Sequence, residues 1–210
     1  GAMLYNKKVF SELGIEIPTS WEEFLAVCEK IKSAGKIPVY ISGKDSWTVQ
    51  LWPMLGFIRE FKAVGSSSEV MEPLNTNKAK YTDKELFIDS LEKLLEIKDK
   101  GYINKTFLSD TYDNAQKALA EGEAAMYCMA TWVMGAMKES YPEYISDIGA
   151  FAIPFDGDDA LPSWMPWVMM VPAGENADIA KAVVLELQKK ENVDAFFKAE
   201  AGIPMAKGID

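Results

Sequence analysis

Six tryptophans are the residues of this chain best suited to meeting a ligand. Trp47, Trp132, Trp164 and Trp167 stand in turns or at the edges of expected elements. An indole offers a flat apolar face and one N–H donor. That combination suits a pyranose, whose two faces are apolar C–H patches rimmed by hydroxyls. The competing reading is that large aromatics plug the core, and Trp21 and Trp52, which fall within helical patterns, are read that way. Trp47 lies in Gly43-Lys44-Asp45-Ser46-Trp47-Thr48, a turn leading into a helix. Trp132 opens a helix straight after an expected strand. In α/β sheets, ligands sit in the crevice beyond the strands' carboxyl ends, where such a residue would be placed. Trp164 and Trp167 flank Met165-Pro166 just before another expected strand.

Other chemistries are poorly supplied. The chain has no histidine, which removes Ser-His-Asp and Cys-His catalysis and every His-containing zinc site. Cys28 and Cys128 form no CxxC pattern and read as free, buried small hydrophobes. Asp156-Gly157-Asp158-Asp159 looks acidic enough for calcium. However, Leu161 and Trp167 fall where an EF-hand needs Gly and Glu, so a solvated turn is the better reading. Asp45, Asp110, Asp113 and Glu121 could supply a pair of carboxylates for glycoside hydrolysis, but nothing singles out two of them. No glycine-rich phosphate loop occurs. With a net charge of −10 and Arg59 as the sole arginine, the chain lacks the clustered cations that nucleic acid demands. No cofactor and no metal site is expected.

These residues must be positioned by elements that are largely legible. The 210 residues, 49% of them hydrophobic, suffice for one large domain or two small ones. Ser20-Trp21-Glu22-Glu23 has the spacing of a capping box and should open a helix that stops at Gly35. Residues 37–42, 124–129, 148–153 and 168–171 read as strands. Thr82-Asp83-Lys84-Glu85 is expected to cap a helix with Ile88, Leu91 and Leu95 on its apolar face. Further helices are expected over 113–121, 132–139, 175–190 and 193–199. Residues 63–77, with Ser66-Ser67-Ser68, read as a long loop. Helices alternate with short buried strands, which predicts a helix-rich α/β fold. No apolar run approaches the roughly 20 residues of a membrane helix.

The ends read as cut. Gly1-Ala2-Met3 has the look of a vector-derived scar, and the chain then opens on Leu4-Tyr5-Asn6-Lys7-Lys8 with no leading element expected.

The opening run Leu4-Tyr5-Asn6-Lys7-Lys8-Val9-Phe10, with Leu13-Gly14-Ile15 and Pro18-Thr19-Ser20-Trp21-Glu22-Glu23-Phe24, resembles extracellular solute-binding proteins of carbohydrate ABC importers, the maltose-binding-protein-like family. The likeness continues in order through Gly43–Thr48, Lys100-Gly101-Tyr102, Ala115–Met126, Ala130-Thr131-Trp132-Val133, Ile153-Pro154 and Gly202-Ile203-Pro204. It implies a periplasmic-binding-protein-like (type II) fold in which ligand lies between two lobes that close about a hinge. On that likeness residues 4–152 would be the main body of the second lobe, and 153–210 a segment returning to the first. Much of the first lobe would lie outside this chain. Ile179, Val183, Leu187, Phe196 and Phe197 would then lose their usual cover and be expected to refold inward or to bury against another copy.

The resemblance also implies a function: non-enzymatic binding of an oligosaccharide for delivery to ABC permease subunits. Trp132 and Trp47 resemble the family's cleft aromatics, and Trp164 and Trp167 would face the same cleft. Asp45 and Gln50 are candidate partners for sugar hydroxyls; a hydrogen bond to a charged group, here the Asp45 carboxylate, contributes about 1.5–3 kcal/mol. The implied location is extracellular or periplasmic, with an N-terminal lipid anchor on the parent protein. A carbohydrate-active hydrolase and a sugar sensor or adhesion module are the alternatives for a cleft lined with tryptophan.

Overall fold

The computed structural model describes residues 2–155 and 169–200, with side chains through 197. In chain order the first half comprises β1 (Ala2–Asn6), α1 (Lys7–Glu12), α2 (Trp21–Ser33), β2 (Ile37–Tyr40), α3 (Leu51–Val64) and α4 (Ser67–Asn75). The second half comprises α5 (Glu85–Asp99), α6 (Tyr112–Ala120), β3 (Ala124–Met129), α7 (Trp132–Ser140), β4 (Ile148–Phe151), α8 (Ala177–Leu187) and α9 (Lys190–Glu200). Short 3-10 turns cover Ser46–Thr48, Tyr81–Asp83 and Pro142–Asp147.

The four strands form one sheet in the order β2-β3-β1-β4. β2 runs parallel to β3, whereas β1 is antiparallel to both β3 and β4. Every residue of β3 is buried, as a central strand covered on both faces requires. The opening of the chain is therefore not bare. Ala2–Asn6 is a central strand, and Met3 and Leu4 are fully buried opposite Cys128 and Tyr127. Ala2 and Met3, read above as vector-derived, are part of that ladder. Asn6 then ends the strand and starts α1, its Oδ1 accepting from the Val9 amide at 3.1 Å while its Nδ2 donates to the Leu119 carbonyl.

Local signals account for several of the helices. Ser20 Oγ accepts from the Glu23 amide to cap α2, and Glu23 Oε2 reaches back to Thr19, one residue beyond the standard capping box. Gly35 stops the helix at φ 77°, a conformation that favours glycine. Residues 67–75 form α4 and not the loop expected over 63–77. Ser66 caps the helix through the Glu69 amide, and Val70 and Leu74 are buried as it packs on α3. The start of α5 also departs from expectation, because Thr82 does not cap it. The Leu86 amide instead donates to Glu60 Oε1 on α3 at 2.8 Å. The buried side of α5 carries Ser90 and Ile97, and Leu95 is exposed. Gly56 is the cause. A Cβ there would lie 2.5 Å from Ser90 Oγ and 2.7 Å from the Phe87 backbone, so α3 and α5 touch along that line.

A charged cluster lies between the same helices. Arg59 pairs with Asp89, which also accepts from Lys93 at 2.8 Å, and the guanidinium lies over the Phe155 ring. Burial alone would raise the Asp89 carboxyl, but Lys93 and Arg59 outweigh it and hold the group below its usual range. Cys28 and Cys128 are free and buried, and burial pushes the Cys128 thiol up to about 12 and the Cys28 thiol up as well. Both stay protonated at neutral pH and pack as apolar groups.

The last described elements differ from the rest. The expected strand at 168–171 is not formed over 169–171, and Val168 lies outside the described residues. α9 packs on α7, but no residue of α8 is buried. Ile179, Val183, Leu187 and Phe196 are exposed, Ile179 to 67%, and Phe197 is half-buried. Of the five, Phe197 alone is partly covered, so among the described residues inward refolding does not bury this face. The acidic turn at 156–159 lies outside the described residues. None of the described helices is long and apolar enough to cross a membrane.

Candidate functional site

Two loops leave the sheet side by side. β2 and β3 are parallel neighbours, with Tyr40 opposite Tyr127, so their carboxyl ends open on one edge of the sheet. The β2 loop carries Asp45, Trp47 and Gln50, and the residues after β3 lead into Trp132, the first residue of α7. The structure thus brings four of the six candidate residues to one end of the fold. Trp164 and Trp167 lie outside the described residues. Trp21 and Trp52 are buried, as the core reading requires.

Each of the four is held differently. Trp47, in the 3-10 turn, is 42% exposed, a large value for an indole fixed within a short loop. Its ring leans on Tyr112 with centroids 5.1 Å apart and planes at 53°. Asp45 is half-buried, and its Oδ2 accepts from the Tyr112 amide at 2.6 Å. This anchors the loop on the first turn of α6, where a carboxylate also meets the positive end of the helix dipole. Asp45 is thus first a fastener, although a carboxylate has a second oxygen with which to accept. Gln50 is exposed at the start of α3, with its backbone carbonyl accepting from Met54. Trp132 is half-buried, one part of it packed against the core.

Tyr112 is the neighbour of Trp47 and Asp45 that the sequence reading missed. Thr111 and Asn114 cap α6 reciprocally, with Thr111 Oγ1 accepting from the Asn114 amide and Asn114 Oδ1 from the Thr111 amide. That box fixes Tyr112 as the first helical residue, beside Trp47. An aromatic next to a capping residue was the available signal. Of the other carboxylates considered above, Asp110 and Asp113 have structural partners, Asp113 Oδ1 accepting from Gln116 at 3.2 Å. Asp110 Oδ2 accepts from Asn104 and Thr106, each at 2.6 Å. Burial, with the Asp110 carboxylate beside it, pushes the Tyr40 hydroxyl up. Among the described residues no three His, Cys, Asp or Glu side chains gather where they could share a metal ion.

The arrangement offers two aromatic faces, Trp47 with Tyr112 and Trp132, at the carboxyl ends of adjacent parallel strands, with a carboxylate and an amide side chain nearby.

Residues 1–194 match the family model described as bacterial extracellular solute-binding protein. A multiple sugar-binding protein of Streptococcus mutans is 30% identical over 150 residues, covering 71% of this chain and 35% of that protein. An uncharacterised ABC transporter extracellular-binding protein of Pyrococcus horikoshii is 26% identical over 190 residues, covering 88% of this chain and 42% of that protein. Among solved structures, a chitin oligosaccharide binding protein superposes on 100% of this chain with a TM-score of 0.76 at 22% identity, and this chain covers 53% of it. The chain thus spans about half, or less, of the length of these proteins, and its helix-rich α/β architecture is part of the periplasmic-binding-protein-like fold. By its match over residues 1–194, the chain belongs to the bacterial extracellular solute-binding protein family.

Proposed function

We propose that this chain is the larger part of the second lobe of a carbohydrate-binding protein that delivers an oligosaccharide to ABC permease subunits. The observation that carries the reading is the placing of Trp47 and Trp132 beyond the ends of two adjacent parallel strands, with Tyr112 of α6 against Trp47. Stacking on these rings recognises the apolar faces of sugar units, and Asp45 and Gln50 take hydroxyls. Relatives with sugar-binding names support the ligand class. The family and these relatives are binding proteins, not enzymes. Residues 4–152 form the body of the lobe and 153–210 the return towards the first lobe. Closure of the two lobes over the sugar presents the occupied state to the permease. The protein works outside the cytoplasmic membrane, anchored by an N-terminal lipid on its full-length form.

Calorimetry against an oligosaccharide library tests this reading. A protein carrying both lobes should bind at least one oligosaccharide with micromolar or tighter affinity, whereas this chain alone should bind far more weakly. A micromolar complex needs about −8 kcal/mol, and one open face leaves half of the sugar in water. Micromolar binding by this chain alone would overturn the division into lobes, and an intact protein indifferent to every saccharide would overturn the ligand class.

The exposed face of α8 and α9 gives a second test. In the whole protein it packs on the first lobe; in this chain alone it pairs with a second copy. Sedimentation should show a concentration-dependent dimer that Val183→Lys disperses, since large apolar patches are uncommon on monomers. A monomer at every concentration would remove self-association from the proposal.

A further inference from the structure

The loop that presents Trp47 is tied at its base by three buried hydroxyls. Ser42, at the end of β2, donates from Oγ to Thr48 Oγ1 at 2.9 Å, and Thr48 Oγ1 donates to the Ser42 carbonyl at 3.0 Å. Tyr127 Oη lies 2.9 Å from Ser42 Oγ. A hydroxyl carries one proton. Ser42 spends its proton on Thr48, and Thr48 spends its own on the carbonyl, so Tyr127 is the donor to Ser42. All three residues are buried, so water does not substitute for a missing partner there. Tyr127 sits within β3, the strand that runs on towards Trp132, and stands opposite Tyr40 in the ladder. One hydroxyl therefore joins the strand that delivers Trp132 to the loop that delivers Trp47.

Among the described residues, the other hydrogen bonds from this loop to distant segments run to one side. Gly43 and Lys44 donate their amides to the carbonyls of Phe107 and Asp110, and Asp45 accepts from the Tyr112 amide. All of those contacts are to the segment that leads into α6. A Cβ on Gly43 would lie 2.7 Å from the Phe107 oxygen, so this seam has no slack. The hydroxyl chain is a polar tie in the other direction, into the sheet, beside the packing of Val49 on the core. It fixes where Thr48, and with it the neighbouring indole, stands relative to β3.

We propose that Tyr127 is a positioning residue that sets the placement of Trp47 against Trp132, and so the spacing of sugar units the site accepts. The inference rests on the carbohydrate reading above, but the placement itself can be measured without ligand. In Tyr127→Phe the ring stays in the core and only the donor is lost. Amide exchange of this chain should quicken tenfold or more at Asp45, Thr48 and Tyr112, while the amides of β1 and β3 keep their protection. In a protein carrying both lobes, titrated with raffinose, mannotriose and chitotriose, the variant should weaken binding about three- to tenfold and change the rank order of the three sugars. In a Trp47→Ala background the same change should have no further effect, because its action runs through Trp47. Ser42→Ala, which removes the shared partner, should reproduce the exchange pattern and serves if Tyr127→Phe does not fold. Exchange that rises across β3, or an equal loss of affinity with and without Trp47, would make Tyr127 merely structural and overturn the proposal. If the unmodified protein binds none of the three sugars, the carbohydrate reading fails for them, and the exchange pattern alone decides the positioning role.

Discussion

Replacing Trp132 with alanine should weaken sugar binding by about 2–4 kcal/mol, roughly 30- to 1000-fold, in a protein carrying both lobes. A tryptophan side chain buries about 150–250 Å², which at about 25 cal/mol/Å² is several kcal/mol in gross terms. Binding realises part of this, because a sugar covers one ring face, and the other side of Trp132 already rests on the core. That second contact means the variant also loses some folding stability. The amount separates two roles. A residue wholly in the core loses about 3–5 kcal/mol on truncation to alanine, whereas a half-buried one at the first position of α7 should lose about half as much. Affinity and denaturation midpoint measured on the same variant decide between them. Unchanged affinity with a collapsed midpoint would return Trp132 to the core.

How far the sequence alone leads depends on where each element finds its partners. α2 was legible because Ser20, Glu23 and Gly35 signal its ends within the segment itself. β3 was legible from its unbroken apolar run. α4 was not, since three serines and Pro73 hide a helix that is held by burying Val70 and Leu74 on α3. β1 gave no signal: five residues, with both ladder partners more than a hundred positions away. The start of α5 was misplaced because its cap comes from Glu60, 26 residues earlier. The site divides in the same way. Asp45, Trp47 and Gln50 could be grouped because they share one turn after a recognisable strand. Tyr112 could not, because its tie to that turn runs to Asp45, 67 residues away. The same holds for the hydroxyl chain, in which Ser42 and Tyr127 are 85 residues apart. Local capping and periodicity are written along the chain; tertiary caps and loop anchors are visible only once the sheet has brought distant segments together.

The sharpest contrast in stability should fall between two tryptophans five residues apart. Trp52 is 1% exposed, and its ring meets Phe155 edge-on at 6.4 Å, beside the Arg59 guanidinium. Its indole N–H has no hydrogen-bond acceptor among the described residues. Truncation therefore removes apolar burial and leaves a cavity without breaking a polar contact, and Trp52→Ala should cost about 3–5 kcal/mol. Trp47 leans on Tyr112 but keeps 42% of its surface in water. Trp47→Ala should cost about 1 kcal/mol or less, because little buried area is lost and the space left opens to solvent. Urea denaturation of the two variants separates them: the midpoint should drop steeply for Trp52→Ala and hardly move for Trp47→Ala, with similar slopes. Sugar affinity should rank them the other way, strongly reduced for Trp47→Ala and retained for whatever fraction of Trp52→Ala is folded. Equal midpoints would mean that Trp47 is held by more than Tyr112 and the Asp45 anchor. The loop would then be a structural strut, and binding would have to be carried by Trp132 and the groups around it.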